Sequence, residues 1–272
     1  MNLVVLDFDG TITNVDEEAR PYVEGYKNDV KDLVGLSQAD FDRAWESAAQ
    51  EIRSNPSRYG WENAGRIIAP AYGDPILFSQ TVVPLLFDQV GILKDEQERT
   101  ATIEQLYEQN YPKTKTVFRE GADEFLTALL QNTAACVVTN ARTQKVEAKL
   151  AQLPTRHALP VYGHARKNVL DLSWTDVPES IDAGLGRPVF LQRKMYADVL
   201  AGIMEEKQCT SKDVTVFGDI FEMDLALPQA LGMNIALAVG SNTLQCEREA
   251  VRRVGGVCIY SLEEASRYLC NR

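Results

Sequence analysis

The sequence predicts an α/β protein, a doubly wound parallel sheet with a block of helices inserted after its first strand. Short apolar runs rich in β-branched residues recur along the chain, and each has the length of a buried strand. They alternate with stretches in which apolar residues repeat at helical spacing. Strands that alternate with helices are joined by right-handed crossovers, so they are expected to form one parallel sheet.

The first predicted strand, residues 3–6, runs directly into the sequence Asp-Phe-Asp-Gly-Thr at 7–11. Because residues i and i+2 of an extended chain point the same way, the carboxylates of Asp7 and Asp9 can converge. Two carboxylates so close repel each other, which favours a bound cation or a shared proton between them. Gly10 permits a sharp turn and leaves its N–H free to approach an anion. Carboxylates, a cation and amide donors together indicate a phosphoryl-transfer site.

The segment after this strand is predicted to be helical, with no buried strand between residues 17 and 111. The stretches 38–52 and 96–107 carry apolar residues at helical spacing with charges between them. A block of roughly a hundred residues is the size of a small domain. The predicted domains are a core formed by 1–15 and 115–272, and an inserted helical domain formed by 16–114.

The α/β pattern resumes near residue 117. The later predicted strands are 134–138, 214–217, 235–239 and 257–260, and the predicted helices between them are 121–130, 142–153, 192–206 and 225–231. In a sheet of this kind the site lies at the carboxyl ends of the strands. Thr139 and Asp219 each follow a predicted strand, as Asp7 does. Residues 157–189, rich in Gly and Pro, are expected to be a loop-rich insertion.

Composition narrows the classes of partner. The net charge is −11, from 28 Lys and Arg against 39 Asp and Glu, so we expect neither nucleic acid nor an anionic membrane as a partner. The first apolar run ends at Asp7 and is too short for a signal segment or a spanning helix. The five cysteines are scattered and odd in number, which is typical of free thiols in a reducing compartment. We therefore expect a cytoplasmic protein.

Four stretches of the chain resemble the motifs of the haloacid dehalogenase (HAD) superfamily. Residues 7–11 are similar to its DxDGT nucleophile motif, and Thr139 after an apolar strand resembles its second motif. Lys194 resembles the third, and Gly-Asp-Ile-Phe-Glu-Met-Asp at 218–224 is similar to the GDxxxxD form of the fourth. The helical block lies between the first two motifs, where a type 1 cap is inserted in that superfamily. The resemblance implies a Rossmann-like core with a helical cap that closes over the site and sets specificity.

The resemblance also implies a reaction, the hydrolysis of a small phosphorylated metabolite. Asp7 would attack phosphorus and form an aspartyl-phosphate. Asp9 would protonate the leaving alkoxide and then take a proton from the hydrolytic water. Thr139 would donate its hydroxyl to the transferring phosphoryl oxygens. The further residues expected to contact the phosphate are Gly10, Thr11 and the backbone N–H of Asn140.

The implied cofactor is Mg²⁺, which prefers carboxylate and water oxygens. Asp7 and Asp219 are the expected side-chain ligands, and Asp9 would contribute its backbone carbonyl. Asp224 is expected to be a further ligand, directly or through water, or to support the ligands from behind. It could instead cap the following helix, and Glu222 on the same turn could take its role.

Lys194 is the expected cation that neutralises charge on the nucleophile and phosphate, as a point charge. It lies 24 residues before Gly218, a spacing that suits the superfamily, but Met195 follows it where a proline is usual. Arg187 and Arg193 are alternatives for the same role.

Other functions remain open at this point. A phosphomutase would retain the same four motifs, and a non-catalytic binding protein could share the fold. A phosphonoacetaldehyde hydrolase would need a Schiff-base lysine, for which Lys27 and Lys31 are candidates. The pair Asp7 and Asp9 argues against a 2-haloacid dehalogenase, which needs neither a metal nor a second acid. The two histidines are too few for a histidine metal site.

Overall fold

The structure, a computed structural model, describes residues 2–270. Its strands are β1 (Leu3–Leu6), β2 (Gly60–Asn63), β3 (Arg66–Pro70), β4 (Ala134–Val138), β5 (Val161–Tyr162), β6 (Ser180–Asp182), β7 (Pro188–Phe190), β8 (Val214–Gly218), β9 (Asn234–Ala238) and β10 (Val257–Ile259). Its α-helices are α1 (Val15–Val34), α2 (Gln38–Ser54), α3 (Pro75–Val90), α4 (Glu96–Asn110), α5 (Ala122–Asn132), α6 (Thr143–Leu150), α7 (Lys194–Lys207), α8 (Ala226–Ala230), α9 (Gln245–Arg253) and α10 (Leu262–Leu269).

Six strands form a parallel sheet in the order β10-β9-β8-β1-β4-β5. All four residues of β1 are buried. Leu3 and Val5 pack into one apolar cluster, whereas Val4 and Leu6 pack into another. Both faces of the sheet are therefore covered, as strands without polar alternation require. The predicted α/β, doubly wound, Rossmann-like fold is confirmed.

The register of the sheet places three strand ends side by side. Leu6 of β1 pairs with Val137 of β4 on one side and with Phe217 of β8 on the other. The residues that follow these three strands lie at the carboxyl edge of the sheet, which is where such folds place their sites.

The chain divides into two compact units. The first comprises the residues through Asn14, Asn63–Ile68 and the residues from Phe118 onward, and the second comprises Val15–Glu62 and Ala69–Val117. The second unit contains α1 to α4 around its own apolar core. Ser37 caps α2 by accepting a hydrogen bond from Asp40 N at 3.2 Å. Asp74 caps α3, and Gly91 ends it in the left-handed conformation.

Two strands correct the expectation of an entirely helical insertion. β2 and β3 form a two-stranded sheet within residues 60–70. Ala64 and Gly65 at its turn both have positive φ, 52° and 72°, as in the tight turns that match the twist of a hairpin. The sequence does not predict these strands, because they are short and β2 has no fully buried residue, so that no apolar alternation marks it.

The insertion at 157–189 also has more structure than a loop. β5 extends the main sheet by pairing Val161 with Val137, and β6 pairs antiparallel with β7. Within residues 2–270, none of the helices has both the length and the apolar character needed to cross a membrane.

Candidate active site at the carboxyl edge of the sheet

Asp7 is held at the end of β1 by backbone and side-chain hydrogen bonds. Its N–H donates to Phe217 O at 2.8 Å, which continues the pairing of β1 with β8. The Thr11 hydroxyl donates to Asp7 Oδ2 at 3.3 Å. The Asp7 side chain is nearly buried, so its position is fixed by the sheet rather than by a mobile loop.

Two glycines let acidic side chains approach this strand end. Gly10 has φ +85°, and a Cβ there would lie 2.0 Å from Asp219 Oδ2. A Cβ on Gly218 would lie 2.5 Å from the Cβ of Asp224. Any other residue at either position would push an aspartate out of place. The glycines of the first and fourth motifs are therefore required by close packing.

The carboxylates of Asp7, Asp219 and Asp224 meet at one point, with one oxygen from each lying within 4.8 Å of the others. Burial, together with repulsion from neighbouring carboxylates, raises the pKa of Asp7 to about 7 and raises the pKa of Asp219 well above its usual value. Buried carboxylates in such a group are stable as anions only beside positive charge. Their oxygen donors suit Mg²⁺.

One lysine supplies part of that positive charge. Lys167 Nζ lies 2.7 Å from Asp7 Oδ1 and 2.8 Å from Asp224 Oδ1, and the residue is only 1% exposed. Burial alone would lower the pKa of Lys167, but the attraction of Asp224 and Asp7 outweighs it and raises the pKa. When all three carboxylates are ionised, one ammonium leaves two negative charges, and a divalent cation would match the site in charge as well as in donor type. Such a cation would favour the ionised forms of Asp7 and Asp219, whose pKa values are raised without it.

The cation predicted at Lys194 is corrected by the structure. Lys194 is the first residue of α7, and its ammonium lies 2.7 and 2.8 Å from the two carboxylate oxygens of Asp198, one turn along the same helix. It is exposed and makes a surface i, i+4 pair. Lys167 instead contacts the Asp7 carboxylate, from the segment 157–189 that the sequence predicts to be rich in loops.

The two arginines considered for the same role do not contact the Asp7 carboxylate either. Arg193 is buried and donates to the backbone carbonyls of Phe190, Lys167 and Ile68. Arg187 makes a buried bidentate pair with Glu222. Because Glu222 pairs with Arg187, it is Asp224 rather than Glu222 whose carboxylate lies in the group of three.

Asp224 supports the group in two ways. Its Oδ2 accepts a hydrogen bond from Ile220 N at 3.0 Å, and its Oδ1 contacts Lys167. The alternative role as a helix cap is wrong, because Leu225 occupies the N-cap position of α8. Asp224 lies in a π-helical turn, Phe221–Leu225. Such turns often occur at functional sites.

Asp9 points to a different partner. Its Oδ1 lies 2.8 Å from Lys149 Nζ on α6, and its side chain is 39% exposed. Lys149 also lies 5.7 Å from the centre of the Phe8 ring. The Asp9 carboxylate is thus outside the group of three, and a role for its backbone carbonyl as a ligand stays a prediction.

Thr139 and Asn140 follow β4 as expected. The Thr139 hydroxyl accepts a hydrogen bond from Ala141 N at 3.1 Å, and the residue is buried. Asn140 Oδ1 accepts from Lys167 N at 2.7 Å. The second motif therefore fixes the backbone from which Lys167 reaches the carboxylates, a connection that the sequence did not indicate.

The sequence pattern that defines the haloacid dehalogenase-like hydrolases matches residues 1–232. The chain belongs to this family of hydrolases, as its motifs suggested. No curated protein matches the chain at a significant level of sequence similarity.

Solved structures of the same fold cover nearly the whole chain. A candidate β-phosphoglucomutase from Thermotoga maritima is 16% identical, with a TM-score of 0.53, and the match covers 99% of this chain and 98% of that one. A predicted phosphoglycolate phosphatase from Haemophilus somnus 129PT is 15% identical, with a TM-score of 0.54 and coverage of 98% and 97%. The candidate HAD hydrolase YfnB from Bacillus subtilis, solved with magnesium, is 15% identical, with a TM-score of 0.50 and coverage of 98% of both chains. At these identities the likeness shows a common fold.

Proposed function

We propose that the protein is a Mg²⁺-dependent phosphomonoester hydrolase that acts on a small phosphorylated metabolite through an aspartyl-phosphate on Asp7. The observation that carries the proposal is the buried contact of Asp7 with Lys167, within a group of three carboxylates. A nucleophilic carboxylate needs positive charge close to it when an anionic phosphate approaches. Family membership supports the hydrolase class.

Asp7, Asp219 and Asp224 would hold the magnesium ion, together with the backbone carbonyl of Asp9. When bound, the ion supplies positive charge that offsets the charge of the phosphate oxygens. The two uncompensated negative charges of the site and its oxygen-only donor set support this choice of ion.

Each residue of the site has a separate role in the proposed reaction. Asp7 attacks phosphorus, and the ammonium of Lys167 offsets charge on both the nucleophile and the phosphoryl group. The Thr139 hydroxyl and the Asn140 N–H would donate to phosphoryl oxygens. Asp9 is partly exposed, which would let it reach the leaving oxygen as an acid and then a water molecule as a base.

The helical unit of Val15–Glu62 and Ala69–Val117 is proposed to be a type 1 cap that selects the substrate. Its insertion between the first and second motifs supports this assignment. The cytoplasmic location and the small-molecule partner are part of the same proposal, and rest on the scattered cysteines and the acidic composition.

The test is turnover of p-nitrophenyl phosphate, then of a panel of phosphorylated metabolites, with Mg²⁺ and with EDTA. Phosphate release should require the metal. Asp7→Asn should lower kcat by at least about 10³-fold with an unchanged circular dichroism spectrum. Asp213→Asn, at the amino end of β8, is the matched control. Undiminished turnover by the Asp7 variant would overturn the proposal.

The same assays distinguish a phosphatase from the alternative function, a phosphomutase. A mutase would interconvert phosphorylated isomers faster than it releases phosphate from them. If phosphate is released slowly while phosphorylated isomers of the panel interconvert rapidly, the protein is a phosphomutase and not a phosphatase.

One observation favours a phosphonoacetaldehyde hydrolase-like reaction as a second candidate. Burial lowers the pKa of Lys27, which is the direction that a Schiff-base lysine needs. Its contact with Trp45, 4.6 Å from Nζ to the ring centre, favours the ammonium instead. Lys31 by contrast is hydrogen-bonded to Gln38 at the surface. Borohydride trapping of an aldehyde substrate on Lys27 would support this reaction, and its absence would remove it.

A further inference from the structure

Arg193 is buried, yet its guanidinium makes its hydrogen bonds to main-chain carbonyls and to a sulfur atom rather than to a carboxylate. It donates to Phe190 O at 3.1 Å, to Ile68 O at 2.8 Å and to Lys167 O. The residue is 0% exposed. Burying a charged guanidinium is costly, and burial lowers its pKa to about 10 despite nearby carboxylates. Because burying this side chain is unfavourable in itself, we expect its hydrogen bonds to hold the three segments together.

The three segments come from distant parts of the sequence. Ile68 lies in the hairpin tip Asn63–Ile68, which belongs to the first unit. Phe190 ends β7. Lys167 lies in the loop between β5 and β6, and its ammonium bridges Asp7 and Asp224.

The hairpin tip is held to the same loop by further contacts. Asn63 Oδ1 accepts a hydrogen bond from Leu170 N at 2.8 Å. Arg66 lies 4.8 Å from the centre of the Phe190 ring and forms a 2.7 Å ion pair with Glu179. The tip thus contacts both the loop that carries Lys167 and β7, the strand that precedes Arg193.

We propose that Arg193 is a positioning residue that fixes the Lys167 backbone to the docked hairpin tip, so that the placement of the Lys167 ammonium depends on the hairpin. Two hydrogen bonds clamp residue 167, one from Lys167 N to Asn140 Oδ1 and one from Arg193 to Lys167 O. Removing the second leaves the loop free to move, and the ammonium then leaves its two carboxylates.

The proposal rests on the proposed function for the catalytic use of Lys167, but its test does not require turnover. Lysines are acetylated with acetic anhydride in the native protein, and peptide mass spectrometry gives the rate at each position. Lys212, which is exposed, serves as the internal reference. In the native protein Lys167 should react at least about tenfold more slowly than Lys212, because a buried amine reacts only when its segment opens.

Arg193→Met should increase the acetylation rate of Lys167 by about tenfold or more, without changing that of Lys212. Leu129→Ala, which creates a cavity in the other apolar cluster, is the control for a general loss of stability. If Arg193→Met does not fold, Arg193→Lys keeps the charge but cannot reach three carbonyls, and the same selective increase is expected. Continued protection of Lys167 in a folded Arg193 variant would overturn the proposal.

The hairpin part of the proposal is tested by Arg66→Ala. Alone it should increase Lys167 acetylation, and in the Arg193→Met background it should add little, because both act through one connection. No effect of Arg66→Ala, or full additivity, would overturn the dependence on the hairpin.

Kinetics separate this proposal from the proposed function. If the protein is a phosphatase, Arg193→Met should lower kcat about tenfold or more and change KM less than about threefold. A native protein without phosphatase activity would overturn the function alone, since the acetylation result would still decide the role of Arg193.

Discussion

The charges of the residues around Asp7 must offset one another. Three carboxylates, two of them buried and that of Asp219 partly buried, repel one another, and the ammonium of Lys167 offsets one of their charges. Removing that ammonium leaves buried, unpaired anions, which is among the most costly single changes in a protein. Under the proposed function, catalysis and stability therefore both depend on the Lys167 side chain.

Lys167→Met should lower kcat strongly, by about 10²-fold or more, because the nucleophile loses its neutralising charge. Lys194→Met should retain turnover, because the ammonium of Lys194 pairs with Asp198 on the surface. Steady-state kinetics of the two variants, with Mg²⁺ saturating, provide the comparison. A larger loss from the Lys194 variant would return the third-motif role to that residue.

Glu247 gives the protein a pH-dependent contribution to stability. Burial raises the pKa of Glu247 to about 7, from 4.5. The folded state holds this proton more tightly than the unfolded state. This proton therefore contributes fully to the free energy of unfolding below pH 4.5, and the contribution is lost as the pH rises through 7.

Glu247→Gln should remove this contribution while keeping an acceptor for Leu244 N. The free energy of unfolding of the native protein should fall relative to that of the variant by on the order of 3 kcal/mol between pH 4.5 and pH 7.5. Urea unfolding at several pH values measures it. Equal pH dependence in both proteins would contradict the assignment.

Among the elements, the π-helical turn Phe221–Leu225 determines where the Asp224 carboxylate lies. It carries Asp224, and it is tied down by the Arg187 pair with Glu222 and by a 3.0 Å hydrogen bond from the Tyr196 hydroxyl to Asp224 O. Burial raises the pKa of Glu222 even though Arg187 opposes the shift. The pair thus holds the turn in place at some cost in solvation.

Arg187→Met should destabilise the protein by about 3–5 kcal/mol, because Glu222 is left as an uncompensated buried charge. The double variant Arg187→Met with Glu222→Met should recover most of that loss, since two apolar side chains of similar length can replace a buried pair. Denaturant unfolding of the two variants measures the recovery. A double variant no more stable than the single one would contradict this reading of the pair.

The main sheet could be predicted because its strands carry continuous apolar runs, as β1, β4 and β8 show. Asp7 and Asp219 could be placed because each directly follows such a strand, and Asp224 because it ends the motif at 218–224. β2, β3 and the conformation of the loop around Lys167 could not be predicted from the sequence. Their conformations depend on packing between distant segments, and a lysine between an exposed arginine and an asparagine carries no periodic signal.

At the scale of the whole molecule, the chain forms two units joined by repeated crossings, with Asn63–Ile68 clustered in the first. The site residues of the first, second and fourth motifs come from strand ends far apart in sequence, and Asp7 and Asp219 are separated by more than two hundred residues. A ligand that joins those strand ends binds the folded chain but not the unfolded one. Such a ligand stabilises the fold by mass action.

Mg²⁺ should therefore raise the thermal unfolding temperature. At a hundred times its dissociation constant the gain is about 2.7 kcal/mol, which raises the unfolding temperature by roughly 5–11 °C for a chain of this size. Asp219→Asn should remove the shift, and Asp213→Asn should keep it. An equal shift in all three proteins would indicate metal binding elsewhere.

The most direct test of the central claim is a crystal structure of the protein with Mg²⁺ and beryllium fluoride, which mimics a phosphoryl group on a carboxylate. We predict trifluoroberyllate on an Asp7 oxygen, with the metal ion on Asp7 and Asp219 and the Lys167 ammonium in contact with the same group. A fluoride adduct on another residue, or a metal ion away from these carboxylates, would contradict the account.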